Sequence, residues 1–330
     1  MSRYKNIFIW LVLMNPFVGP SVLMPARATA QSATFISSPH KRKSGRPQFV
    51  TVRTTRLHYV ESGSGKPVLL IHGNAGSLQD FEFGTLDLVA QQYRVIAFDL
   101  PGHGFSPIPK SFKGTIEEEA SILHDALNEL GVKAPIVVGH SWGGAIALAY
   151  ALRYPQDVSG LVLLAPAAYP DHRRETRFGG LLKVPVLGDV CISLLKPFIG
   201  HRQVEHGLAQ AFFPDNVPEE YRKAAASAWL GRKQIKAWIQ SDEVLEDSLR
   251  SQSTAYEKIQ SPVIIVTGDS DQVVLPSQNA FPLHSAIKKS ELLVVLHAGH
   301  QIPEAHPEVV LRAIQLVRPE SKLATIAISK

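Results

Sequence analysis

The chain has 330 residues, of which 45% are hydrophobic and 19% charged, a globular balance that excludes wholesale disorder. Its single cysteine, Cys191, excludes an internal disulfide and any multi-cysteine metal knuckle. The net charge of +5 does not describe a nucleic-acid-binding body: residues 1–46 hold seven basic side chains and no acid, so the rest of the chain carries a net −2, whereas a nucleic-acid domain concentrates positive charge on its folded part.

Arg3 and Lys5 precede an apolar stretch from Ile7 to Met24, and Ala28-Thr29-Ala30 supplies small residues at an A-x-A spacing. This is the pattern of a cleavable export signal over residues 1–30, cut before Gln31. Asn15, Pro16 and Pro20 interrupt the stretch, which makes it a poor continuous span of the about 20 apolar residues a membrane helix needs. An uncleaved anchor is the alternative. No cysteine follows for lipoprotein attachment. Residues 31–46, with Ser, Pro and a short basic run, read as a flexible lead-in. The expectation is a soluble periplasmic or secreted protein.

The body alternates strand and helix patterns. Phe49–Arg53 and Leu57–Glu61 read as a hairpin. Pro67–Ile71 and Arg94–Phe98 are continuous apolar runs, the mark of strands buried on both faces. Between them Gln79–Gln92 has helical spacing. Thr115 with Glu118 forms a capping box that opens a helix over Ile116–Leu130, and Gly131 ends it. Pro135–Val138, Leu161–Ala165, Val263–Thr267 and Leu292–Leu296 are further buried strands, with helices over Trp142–Tyr154 and Pro307–Val317. Strands alternating with helices predict an α/β fold, a mostly parallel sheet with helices on both faces. Between Ala167 and Ile259 no strand-like run appears. Val190–Phe198, Val204–Phe213, Glu219–Trp229 and Gln234–Leu249 have helical spacing, and the stretch is too long for a loop. It reads as a helical insertion. Its aromatics Phe212, Phe213, Trp229 and Trp238 are expected in the insertion's own core, with pocket lining as the alternative. The domain plan is thus a signal (1–30), a lead-in (31–46), a core (47–166), a helical cap (167–259), the rest of the core (260–318) and a tail (319–330).

The sharpest motif is Gly139-His140-Ser141-Trp142-Gly143, followed by Gly144, between an apolar strand and an apolar helix. In that strand–turn–helix context a serine on a tight, strained turn is lifted above the sheet edge at a helix N-terminus, where backbone N–H groups and the helix dipole favour a developing oxyanion. Side chains at the flanking glycines would collide with the neighbouring strand and helix. Gly102 and Gly104 are followed by Pro107 where a dinucleotide fingerprint needs a third glycine. His297, His300 and His306 match no zinc spacing. No cofactor or metal is implied.

With Leu70-Ile71-His72-Gly73-Asn74, Phe98-Asp99-Leu100-Pro101-Gly102-His103-Gly104-Phe105-Ser106, the Ser141 turn, Gly268-Asp269-Ser270-Asp271 and Ala298-Gly299-His300 in this order, the chain resembles the α/β-hydrolase family, in its single-domain, helical-cap branch. The resemblance spans residues 49–317 and is generic in the cap. It implies Ser141 as nucleophile, a histidine after the last strand as base and a carboxylate after the strand before it as acid. His300, after Gly299, fits the base better than His297 at the strand end or His306, which is expected to cap the closing helix. For the acid, Asp271 stands three residues after Gly268, as in the family pattern. Asp269 is its rival, and Asp171 the candidate if the acid follows the earlier strand. The oxyanion donors are expected to be the N–H groups of Trp142 and Asn74. Asp99 and His103 are expected to brace the sheet edge, and Cys191 to be buried and inert.

The function so implied is an exported serine hydrolase that cleaves a carboxylic ester through an acyl-enzyme, with a small-molecule ester as its partner. Lactone hydrolysis and cleavage of a carbon–carbon bond in a diketone use the same triad and are the alternatives. A ligand-binding protein of the same fold is the non-enzymatic one. The N-terminal pattern carries its own test: protein recovered from its host should begin near Gln31, as read by N-terminal sequencing. An intact Met1 in the membrane fraction would instead establish an anchor.

Overall fold

Runs such as PVLLI and RVIAF leave no side for water, so their strands must pair on both edges and be covered on both faces. A computed structural model of the chain, describing residues 47–74, 76–170, 204–229 and 231–317, shows that outcome. The expected export signal, lead-in, helix over 190–198 with Cys191, and tail, together with Asp171, all lie outside the described residues.

Strands β1 (Gln48–Val52) and β2 (Thr55–Ser62) form the expected antiparallel hairpin. Strands β3 (Pro67–Ile71), β4 (Arg94–Phe98), β5 (Ile136–His140), β6 (Gly160–Leu164), β7 (Val263–Gly268) and β8 (Ser290–Val295) run parallel to one another. The sheet has eight strands in the order β1-β2-β4-β3-β5-β6-β7-β8. From β3 the chain steps outward to β4 and then returns past β3 to β5. The C-terminal ends of β3 and β5 therefore flank a topological switch point, where open α/β sheets leave a crevice for ligands.

Because side chains alternate across a strand, each parallel strand feeds two cores. Leu69, Val137, Leu163 and Ile265 face the helices α3 (Ile116–Glu129) and α4 (Trp142–Arg153). Val68, Leu70, Val138, Val162 and Val266 face α2 (Thr85–Ala90) and the closing helix α10 (Pro307–Leu316). Each such side chain removed from water contributes roughly 1.5–3 kcal/mol. The expected helix over Gln79–Gln92 is two pieces, α1 (Gln79–Glu82) and α2, because Gly84 takes φ +156°, a conformation side chains rarely adopt. At α3 the Thr115 side chain accepts from the Glu118 N–H at 3.2 Å, but the Glu118 carboxylate returns to the Lys113 and Gly114 N–H groups, at 2.7 and 3.2 Å, so only half of the expected box forms. Two short helices that lack a long periodic pattern, α8 (Ala280–Ala286) and α9 (Ile302–Ala305), escape the sequence reading.

Between β6 and β7 stand α5 (residues 204–212), α6 (Glu219–Trp229) and α7 (Arg232–Ser253). Helix α7 is laced to the core along its length. Lys233 Nζ donates to the Gly104 and Ser106 carbonyls at 2.6 and 2.9 Å, Gln234 Nε2 to Gly76 at 2.8 Å, Gln240 Nε2 to Phe112, and Gln252 Nε2 to Ala145 at 3.1 Å. Lys233, Gln234 and Gln240 satisfy loop carbonyls that helices and strands leave open, and Gln252 adds a bond to a carbonyl within α4, which together hold α7 as a fixed roof.

One buried pair sets the start of α4. The Trp142 indole donates to Glu119 Oε2 at 2.7 Å. Burial pushes the Glu119 carboxyl up from 4.5 to about 8, although the Trp142 bond pulls the other way. The folded protein therefore keeps a proton that the unfolded chain releases near pH 4.5. Stability must fall as pH rises from about 4.5 to about 8, with a slope from this group approaching about 1.4 kcal/mol per pH unit. Glu119→Gln retains an acceptor for the indole and cannot ionise. Thermal melts across that pH range should show the variant gaining on the parent as pH rises, and a constant difference would rule the linkage out.

Candidate active site

The elbow at the end of β5 is built on close approach. Ser141 sits at φ +54°, ψ −115°, outside the regions open to most side chains. Its backbone is held there by three hydrogen bonds. Ser141 N–H donates to Leu164 at 2.9 Å, and its carbonyl accepts from Gly144 at 2.9 Å and Ala167 at 3.0 Å. A Cβ on Gly139 would strike the Gly143 carbonyl, and one on Gly143 would strike the Ile71 carbonyl. Only glycine lets helix, turn and neighbouring strand come so near.

Opposite this turn, the loops after β7 and β8 bring His300 and Asp271 together. His300 Nδ1 lies 2.8 Å from Asp271 Oδ2, and both residues are buried. The other Asp271 oxygen accepts from the Val273 and Val274 N–H groups, at 2.8 and 2.9 Å. With a carboxylate as partner, Nδ1 carries the proton, which leaves Nε2 to act as the basic nitrogen. His140, the residue before Ser141, donates from Nε2 to the His300 carbonyl at 3.0 Å. The elbow thus holds the loop that bears the imidazole. Asp269 is exposed and its side chain accepts from the adjacent Ser270 hydroxyl at 2.9 Å. His306 does not cap α10 with its side chain; its ring reaches Asp215 in the cap at 2.9 Å.

On the other side, Gly73 and Asn74 follow β3. The Leu100 N–H donates to His72 Nε2 at 3.0 Å, so the His72 proton is on Nδ1, which donates to the Gly73 carbonyl at 2.8 Å. Burial lowers the His72 pKa and keeps the ring neutral in this role. Asp99 accepts from His58 Nδ1 at 2.7 Å, Leu78 N–H at 3.0 Å and Phe105 N–H at 2.8 Å. It braces the turn after β3 against the loop after β4. His103 is buried and driven down to about 3, chiefly by that burial, so it stays neutral in the same frame.

These elements enclose a cavity of about 260 Å³ lined by Ser141, Trp142, Asn74 and His300. That four separate loops converge on one chamber is decided by the matching register of the strand ends: Ile71 beside Gly139, His140 beside Leu164, Gly268 beside Val295. Among the described residues no three His, Cys, Asp or Glu side chains are grouped to hold a metal ion.

Residues 66–307 match the family described as alpha/beta hydrolase fold. The chain belongs to the α/β-hydrolase family. Lipase 1 of Psychrobacter immobilis is 27% identical over 252 residues, covering 74% of this chain and 75% of the lipase. The dihydrolipoyllysine-residue acetyltransferase component of the acetoin cleaving system of Cupriavidus necator is 39% identical over 125 residues, 38% of this hydrolase, which spans only 33% of that relative's length. Among solved structures, a thermophilic esterase from Thermogutta terrifontis superposes with a TM-score of 0.67 at 23% identity, over 81% of this chain and 97% of the esterase, a likeness of fold.

In this hydrolase the cap aromatics divide. Phe212 is buried beside Tyr221 as core, Trp229 and Trp238 line the cavity, and Phe213 is half exposed. Packing holds for Phe212, Trp229 both packs on that cluster and lines the chamber, and Trp238 takes the alternative of lining it, because α6 and α7 turn one side to the chamber. Sequence reasoning also missed Asp80, Tyr221 and Gln301, which line the same cavity. Gln301 follows the expected base directly, so its neighbourhood was the available signal; Asp80 and Tyr221 carry no motif.

The geometry separates the two aspartates by measurement. Asp271→Asn should lower kcat about 10⁴-fold, as loss of a triad carboxylate does, with KM little changed. Asp269→Asn should cost less than about tenfold. Reversed losses in steady-state assays would make Asp269 the acid.

Proposed function

We propose that this α/β hydrolase is an exported esterase that cleaves small, uncharged carboxylic esters with Ser141 as nucleophile, His300 as base and Asp271 as acid. The observation that carries the reading is the strained Ser141 turn facing one chamber with the His300–Asp271 pair. His300 Nε2 takes the Ser141 proton as Oγ attacks the ester carbonyl. Asp271 holds the imidazolium that forms. The oxyanion lies against the N–H groups of Trp142 and Asn74. Trp142 is the first residue of α4, where helical amides have no partner within the helix. Collapse of the tetrahedral species expels the alcohol, which takes the proton from His300. Water then repeats the sequence on the acyl-enzyme and frees the acid.

The chamber supports the substrate class. Trp229, Trp238, Leu245, Leu249, Val273 and Val274 give it apolar walls. Among the described lining residues there is no lysine or arginine, so an anionic substrate would find no cationic partner there. Its volume is near the lower end for small-molecule pockets. Lipase and esterase relatives agree with this reading. The Arg3/Lys5 n-region, apolar stretch and Ala28-Thr29-Ala30 support export.

A fluorophosphonate should label the chain at Ser141, and Ser141→Ala should abolish both labelling and ester turnover while leaving the melt unchanged. Across p-nitrophenyl esters, kcat/KM should be highest for short acyl chains, with an anionic diketone left uncleaved. Faster cleavage of the diketone than of any ester would reject the esterase reading.

A further inference from the structure

Tyr221 of α6 is 2% exposed. Its ring meets Phe212 edge-on at 5.2 Å and Phe83 at 5.5 Å, between ring centres. Packing of this kind needs a phenyl ring and no hydroxyl. Yet the hydroxyl donates to Asp80 Oδ1 at 3.2 Å and accepts from Gln301 Nε2 at 2.7 Å. Burial raises the Tyr221 pKa well above its usual range, and the neighbouring Asp80 carboxyl pushes the same way, so the hydroxyl remains a donor.

Its two partners, Asp80 on α1 and Gln301 beside His300, hold the two loops that the proposed chemistry must keep apart by a set distance. Asp80 closes the loop that carries Asn74. Its Oδ2 accepts from the Ser77 N–H at 3.3 Å, and its carboxyl packs on Gly76 so tightly that a Cβ there would overlap it. Gln301 is next to His300. The backbone N–H groups of His300 and Gln301 both donate to the Ala211 carbonyl of α5, at 2.9 and 3.0 Å. The cap therefore grips the imidazole loop through Ala211, and the Tyr221 hydroxyl oxygen is the one atom that joins Gln301 of that loop to Asp80. Burial also raises the carboxyls of Asp80 and of Glu304, which lies on the next turn after Gln301.

Resting on the esterase reading above, we infer that the Tyr221 hydroxyl is a positioning group: through Asp80 and Gln301 it sets the spacing between the Asn74 oxyanion loop and the His300 loop. A misplacement of about 1 Å at such a site costs up to about 10²-fold in rate. Tyr221→Phe keeps the ring and removes the joint. With a short p-nitrophenyl ester, kcat should fall at least about tenfold with KM within about twofold. Gln301→Met, which cuts the same joint from the core side, should act in the same direction. The double variant should be no slower than the worse single by more than about twofold, since both remove one linkage. A rise in KM with kcat unchanged would make Tyr221 a pocket wall. A lower melting temperature with both constants unchanged would make it a brace for the cap. Either result overturns the inference. Should Tyr221→Phe not fold, Gln301→Met decides alone, by whether kcat falls at constant KM. Failure of the parent protein to react with fluorophosphonate at Ser141 would instead remove the esterase reading itself, and the two failures are thereby distinct.

Discussion

Everything at the site depends on how closely α4 can follow β5. The strand ends at His140 and the helix begins at Trp142, so a single residue makes the reversal. That residue must take a left-handed backbone, at a cost on the order of 1–3 kcal/mol for a side chain other than glycine. The strain persists because the surroundings over-determine it. Hydrogen bonds from Ser141 to Leu164 and from Ala167 and Gly144 to Ser141 hold the turn, and α4 is buried along nearly its whole length among apolar side chains. The glycines at 139 and 143 are the other half of the constraint, since any Cβ there would collide with backbone. A helix started one residue later would draw Ser141 away from the strand ends of β3 and β8, and the chamber would lose its centre.

Around that turn the protein controls charge by burying it. His72, His103 and His140 are all lowered by burial and stay neutral; His72 uses both ring nitrogens in the frame, while His103 and His140 each use one, toward the Pro101 and His300 carbonyls. Glu119, Asp80 and Glu304 are raised by burial and tend to keep their protons. The pattern concentrates hydrogen bonding without adding net charge to the chamber walls. In such a low-dielectric setting a charge that develops during reaction feels nearby N–H dipoles strongly. The cap contributes to this enclosure as a laced roof, and it holds the imidazole loop directly through Ala211.

Membership of the α/β-hydrolase family narrows the chemistry without naming the substrate, because this fold hosts many reactions. What discriminates is local. A serine stands at the strained turn, in one chamber with the His300–Asp271 pair. The walls formed by Trp229, Trp238 and Leu249 are apolar.

Much of this was legible in the sequence. The strand Pro67–Ile71 and the strand Arg94–Phe98 coincide with the observed elements, because a run buried on both faces leaves an unbroken apolar signature. Ser141 was readable because its turn needs flanking glycines, whereas His300 and Asp271, which the structure brings together, were named by their places in the family's motif order. The break at Gly84 was not, since helical spacing continues across it and only the backbone angle reveals the kink. The fate of Trp229 and Trp238 was not, because an amphipathic pattern reports which side of a helix is apolar but not whether that side meets a core or a cavity. Tyr221, Asp80 and Gln301 lie at widely separated positions in the chain, and no local rule links them. Local sterics and periodicity thus determined the sheet and the elbow, resemblance to the family pointed to His300 and Asp271, and long-range packing of the cap on the sheet edge alone decided what surrounds them.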